Sequence, residues 1–125
     1  MSFLSSRYNK HPEVLGITGV SRKETEHPLP SGDIIDVYFE TVDSRYAIEV
    51  KPSISPEEDI TRGIFQCVKY KAVLEAMRKL DYGRYAISTL LVVAGHMSNR
   101  NKLLAEALEI KYVEHSFVLS GVHAV

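Results

Sequence analysis

Apolar positions along the chain recur at two different spacings, and the change between them separates strands from helices. Between Gly32 and Pro52, "DIIDVYFE" and "RYAIEVK" are short runs rich in Ile, Val, Tyr and Phe, the residues favoured in β-strands. The polar break between them predicts a tight turn centred on Val42 and Asp43, with Thr41 facing Ser44. Upstream, the Thr- and Val-containing alternation of "ITGVSRKETEH" predicts a first strand from about Gly16 to Glu26. "PLPSG" then forces a turn, because two prolines and a glycine cannot continue a ladder. "FLSSRYNKHPEVLG" reads as a short helix or turn that stops near Pro12.

Past Pro52 the spacing becomes helical. "PSISPEED" is a helix start, with Ser55 as N-cap, Pro56 in the first turn and acidic residues at the positive end of the dipole. The helix continues through "DITRGIFQCVKYKAVLEAMRKL", with Phe65, Val68, Ala72, Ala76 and Leu80 as its apolar stripe. Gly63 marks a weak spot or a close backbone approach within it. "YGRY" closes the helix, and "AISTLLVVAG" is a continuous apolar run of the kind buried on both faces. Ser98 caps a second helix, "SNRNKLLAEALE", and "IKYVEHSFVL" is a last strand. The order (α)βββαβαβ predicts one α/β domain over residues 1–125, with a mixed central sheet flanked by helices.

Composition adds bounds rather than a function. A chain of 125 residues, 45% hydrophobic and 25% charged, is sized for one soluble domain with a modest core. A net charge of -1 removes any global basic field, although 15 Lys and Arg leave room for a local basic face. The single Cys67 excludes an internal disulfide and fits a reducing cytoplasm. No leader-like apolar segment opens the chain, and its longest apolar run is too short to span a bilayer. A cytoplasmic protein without membrane contact is the expectation.

The hairpin carries charge where a packed sheet favours carbon. Alternation groups Ile34, Asp36 and Tyr38 on one face, and Ala47, Glu49 and Lys51 on one face of the next strand. Counting outward from the turn sets Asp36 opposite Glu49, with Cβ atoms roughly 4.5–5.5 Å apart. Two carboxylates at that distance repel unless a cation lies between them. Lys51 is one candidate, and a divalent metal is the other. Oxygen ligands suit Mg²⁺ or Mn²⁺, whereas one cysteine and five scattered histidines argue against zinc. Such a metal polarises a phosphoryl oxygen and acidifies a bound water, and Lys51 beside it stabilises developing charge or orients and deprotonates that water. The implied chemistry is metal-assisted phosphodiester hydrolysis; the competing reading is a solvated hairpin face. Asp33, after Gly32 and on the opposite face from Asp36, fits a turn-capping role.

Asp36, the triplet Glu49-Val50-Lys51, and Gln66 and Tyr70 in the following helix resemble the PD-(D/E)XK nuclease superfamily, in particular RecB-like nuclease domains with their Q-x-x-x-Y motif. The resemblance runs from about Gly16 to Val113 and implies a restriction-endonuclease-like αβββαβ core. It implies Asp36 and Glu49 as ligands of Mg²⁺ or Mn²⁺, joined by the Val50 backbone carbonyl, and Lys51 as the catalytic lysine. Gln66 and Tyr70, four residues apart, share a helix face, and the resemblance places them beside the site and the nucleic-acid backbone. For Tyr70 the alternative is core packing with its hydroxyl at the surface. The implied activity is a DNA endonuclease. The alternatives are a catalytically inactive nuclease-fold subunit for nucleic-acid binding or assembly, and an unrelated α/β domain. No proline precedes Asp36. A further acidic residue before the hairpin has three candidates, Glu13, Glu24 and Glu26, with Glu26 favoured as the end of a strand beside it.

Two basic groups are weaker signals. His96, Arg100 and Lys102 surround a helix start and suit either a phosphate site or a solvated loop. Arg62, Lys69 and Lys71 lie on or near the Q-x-x-x-Y helix and suggest a local basic face. The apolar tail "HSFVLSGVHAV" predicts pairing with a second copy, giving a homodimer or larger.

Overall fold

The computed structural model describes residues 3–115. Helix α1 (Phe3–Lys10) is followed by a 3₁₀ turn (Pro12–Leu15), strands β1 (Arg22–Pro28), β2 (Ile34–Glu40) and β3 (Ser44–Lys51), and helix α2 (Glu57–Asp81). Strand β4 (Ala86–Val93), helix α3 (Asn99–Ala107) and strand β5 (Lys111–Glu114) complete the order. The sheet runs β1-β2-β3-β4-β5, antiparallel from β1 to β3 and parallel from β3 to β5. This is the α/β architecture expected, a mixed sheet with helices on its faces and an αβββαβ order at its heart.

Alternation along the central strands decides which helix covers which face. Ile48, Val50 and Val92 pack with Val37, Phe39 and Tyr8 of α1 on one side. Leu91 and Val93 pack with Ile60, Ile64 and Cys67 of α2 and Ala105 of α3 on the other. Tyr70 and Leu74 of α2 extend that second layer over Leu29, Ile35, Tyr38 and Ala47. No helix of the described residues is long and apolar enough to cross a membrane.

Three local expectations are corrected. The first strand starts at Arg22, not Gly16, because Gly16 and Gly19 adopt φ of 75° and 71°, left-handed conformations that break an extended ladder. The buried stripe of α2 is Ile60, Gly63, Ile64, Cys67, Tyr70 and Leu74. Phe65 and Leu80, by contrast, are 49% and 79% exposed. Apolar residues occur on several faces of this helix, so only the sheet it meets selects the stripe. Pro56, without a side-chain bond, occupies the N-cap position given to Ser55, whose side chain hydrogen-bonds Asp59 instead.

Other local expectations hold. Ser98 caps α3 by accepting from the Asn101 N–H at 3.1 Å. Tyr82 ends α2 in the left-handed region, and Gly83 N–H closes onto the Arg78 carbonyl. The last strand covers Lys111–Glu114; the rest of the apolar tail, from residue 116 onward, lies outside the described residues.

Candidate active site

The turn sets the register that builds the site. Thr41 N–H donates to the Ser44 carbonyl at 2.9 Å, and the ladder then pairs Glu40 with Arg45 down to Val37 with Ile48. One further step brings Asp36 opposite Glu49, as counted from the sequence. There a side chain takes over from the main chain: Val50 N–H donates to Asp36 Oδ2 at 2.9 Å. On its other edge β3 stays paired with β4 through Lys51 and Val93. Asp36 is thus held in the plane where β2 and β3 part company.

Glu49 and Lys51 project from β3 toward α2. The Glu49 carboxyl is buried, with Oε1 2.8 Å from the Tyr70 hydroxyl and Oε2 3.5 Å from Lys51 Nζ. Tyr70 is buried with its hydroxyl directed inward, not at the surface, and that hydroxyl also lies 2.8 Å from the Ile34 carbonyl. Lys51 Nζ is 3.2 Å from Asp59 Oδ1, which Arg62 also approaches, at 3.5 Å. Gly63 makes room for this arrangement. A Cβ there would lie 2.9 Å from Lys51 Cε, 3.2 Å from Leu91 Cδ1 and 3.6 Å from Glu49 Cγ.

Burial, followed by the Asp36 charge, pushes the Glu49 carboxyl up to about 7 against the pull of Tyr70 and Lys51. A phenol carries one proton, so Tyr70 cannot donate to both of its neighbours at once. With Glu49 ionised, Tyr70 donates to it; with Glu49 protonated, the carboxyl can donate to Tyr70 and free its proton for Ile34. Burial and the neighbouring Glu49 charge raise the Tyr70 hydroxyl, keeping it a donor. Burial likewise raises the Cys67 thiol behind the carboxylates, so it supplies no thiolate ligand.

The donor set suits a hard cation. Asp36 and Glu49 contribute carboxylate oxygens only, and their mutual repulsion is of the kind relieved by a cation, whether Lys51 at 3.5 Å from Glu49 or a divalent ion. Among the described residues no group of three or more His, Cys, Asp or Glu is arranged to hold a metal. A site with two carboxylates leaves the remaining positions to water, phosphate or a carbonyl such as that of Val50, the manner in which Mg²⁺ is commonly bound.

Glu26 lies with Asp36, Val50 and Ser5 along a cleft of about 280 Å³, and its φ of 51° interrupts the regular β1 backbone. It sits within β1 rather than at the strand's end. Glu24 instead meets Arg22 at 2.5 Å and His27 at 3.0 Å, and Glu13 meets His11 at 3.2 Å. Gln66 is half-buried and lines a second groove, of about 410 Å³, with Glu49, Lys51, Asp59, Arg62 and Phe65. The two clefts therefore border the two carboxylates separately.

Asp59 is the member that sequence reading missed as a site residue. Its signal was the short connection from Lys51 to the acidic first turn of α2, which returns that turn to the end of β3. Several of the basic residues have carboxylate partners within the chain. Lys69 pairs with Asp33 at 2.8 Å, where Asp33 also accepts from Ser31 in the turn. His96 and Lys102 both approach Glu114, each at 3.4 Å, and Met97 N–H donates to the same carboxylate. The helix start thus already meets an anion of its own chain. No protein-family model matches this chain, and no curated protein matches it.

Proposed function

We propose that the protein is a metal-dependent nuclease that hydrolyses phosphodiester bonds of DNA, acting as an endonuclease of PD-(D/E)XK type. The observation that carries this reading is the convergence of Asp36, Glu49 and Lys51 at the parting of β2 and β3, with the Glu49 carboxyl pushed up to about 7. Two adjoining carboxylates, one of them desolvated, are costly without a cation. Mg²⁺ or Mn²⁺ held by Asp36 and Glu49, with the Val50 carbonyl, would supply Lewis acidity and an acidified water.

The chain's own residues do the rest. Val50 N–H fixes one Asp36 oxygen and so orients the other. Tyr70 holds the Glu49 carboxylate by donating to it once it ionises. Lys51, its stem passing over Gly63, is directed to the same point to stabilise charge on the transferred phosphoryl group. Gln66 offers its amide from the groove wall. Glu26 stands on the far side of Asp36, as an auxiliary acid within reach of water rather than as a principal ligand.

The test is cleavage of closed-circular and linear DNA in Mg²⁺, Mn²⁺ and EDTA by wild type, Lys51→Ala and Glu49→Ala. Metal-dependent nicking that drops roughly 10²-fold or more in both variants is expected. Equal behaviour of the three purified proteins sinks the enzyme reading and favours a binding subunit. A cytoplasmic location and a homodimer or larger assembly belong to the same proposal, and light scattering at two concentrations checks the latter.

A further inference from the structure

Two large apolar side chains of α2 are left exposed, Leu80 and Phe65, and the one beside the carboxylates is Phe65. It is 49% exposed, belongs to none of the apolar clusters of the described residues, and lines the groove that also holds Glu49 and Lys51. Arg62, Phe65, Gln66 and Lys69 are spaced three and four apart and so form one edge of the helix. Arg62 is 71% exposed, and its contact with Asp59 is a single one at 3.5 Å shared with Lys51. A ring at the wall, a guanidinium before it and a carboxamide beside it thus meet in a groove of about 410 Å³, within the ~300–1,000 Å³ of small-molecule clefts.

Those three groups match three parts of a nucleotide: the apolar face of its base, the polar edge of that base, and the phosphate joined through the sugar. The faces of bases inside a duplex are covered by their neighbours. A ring fixed on a helix can therefore stack only on a base that is already unstacked. We infer that Phe65 is a stacking platform for an unpaired base of single-stranded nucleic acid, with Arg62 attracting the adjacent phosphate and Gln66 facing the base edge. The inference rests on the nuclease reading for its choice of ligand, and it narrows the substrate to strands that present unstacked nucleotides beside Glu49 and Lys51.

Fluorescence anisotropy tests it in Ca²⁺ or EDTA, where turnover does not interfere. The probes are a labelled oligothymidylate of about 20 nucleotides, longer than a typical single-strand site of ~4–16, and a blunt duplex of equal length. Phe65→Ala is expected to weaken single-strand binding roughly five-fold or more, to leave duplex binding unchanged, and to be rescued by Phe65→Tyr. Alanine at a half-exposed helix position does not threaten folding, and a melting curve verifies this. Equal losses on both probes, no loss on the single strand, or no single-strand binding by wild type overturns the inference. The two readings fail separately. Binding through Phe65 without cleavage of any DNA removes the nuclease and keeps the platform. Cleavage with undiminished single-strand affinity in Phe65→Ala does the reverse.

Discussion

Glu49 carries the strongest tension at the level of single residues. Its carboxyl titrates near 4.5 when unfolded and about 7 when folded, so the folded state binds its proton more tightly. The stability this provides is complete below about 4.5 and is lost as pH rises through about 7. In metal-free buffer, Glu49→Gln should therefore gain stability relative to wild type between about pH 5 and pH 8. Urea midpoints across that range measure the difference, and a constant gap between the two proteins would show that Glu49 is not raised. Asp36 and Glu49 were identifiable in the sequence because strand alternation and a short turn are local rules. The hydroxyl of Tyr70 was not, since its direction depends on how α2 seats over the sheet.

Helix α2 explains why a correctly located element still gave a wrong face. Its boundaries follow from the acidic first turn and the left-handed Tyr82, both local features. Its buried stripe does not, because Ile60, Ile64 and Cys67 on one face compete with Phe65 and Leu80 on others. Gly63 belongs to the buried face for a reason at the site: Lys51 passes where a side chain would be. Gly63→Ala exchanges a helix penalty of about 1 kcal/mol for contact with Lys51 Cε and Leu91 Cδ1. The lysine stem is flexible and can yield, so the melting temperature should move little. The ammonium, however, loses its place between Glu49 and Asp59, and cleavage should fall on the order of 10²-fold. Parallel rate and melting measurements separate these effects, and an undiminished rate would show that Lys51 needs no such seat.

Across the whole molecule, contacts distant in sequence close the fold around the site. The Tyr8 hydroxyl of α1 meets His115 Nδ1, just past β5, at 2.6 Å in the interior. Thr61 and the Glu57 carbonyl of α2 meet the buried Asn101 of α3. Burial, with a smaller effect from the Arg7 charge, lowers the His115 pKa below its usual 6.5. Its contribution is therefore present above about 6.5 and is lost as pH falls through the lowered folded value. This acid limb is opposite in sign to that of Glu49. His115→Asn should flatten the loss of stability below about pH 6.5 while leaving the Glu49 trend intact, as read from denaturation midpoints of the variant against wild type. An unchanged acid limb would assign it to other groups.

The order of strands and helices, the hairpin register and the pairing of Asp36 with Glu49 were all determined by the sequence alone. Each depends on side-chain alternation, turn chemistry or capping over a few residues, and such rules act wherever those residues stand. The late start of β1 had a local cause too, in two glycines, but their left-handed conformations are permitted by sequence rather than required by it. Only the tertiary structure decided which face of α2 is buried, that Asp59 reaches Lys51, that Glu114 meets the basic start of α3, and that Phe65 remains at the groove. Those outcomes depend on burial and charge pairing between segments far apart in the chain, where several partners satisfy the same local pattern and packing selects one.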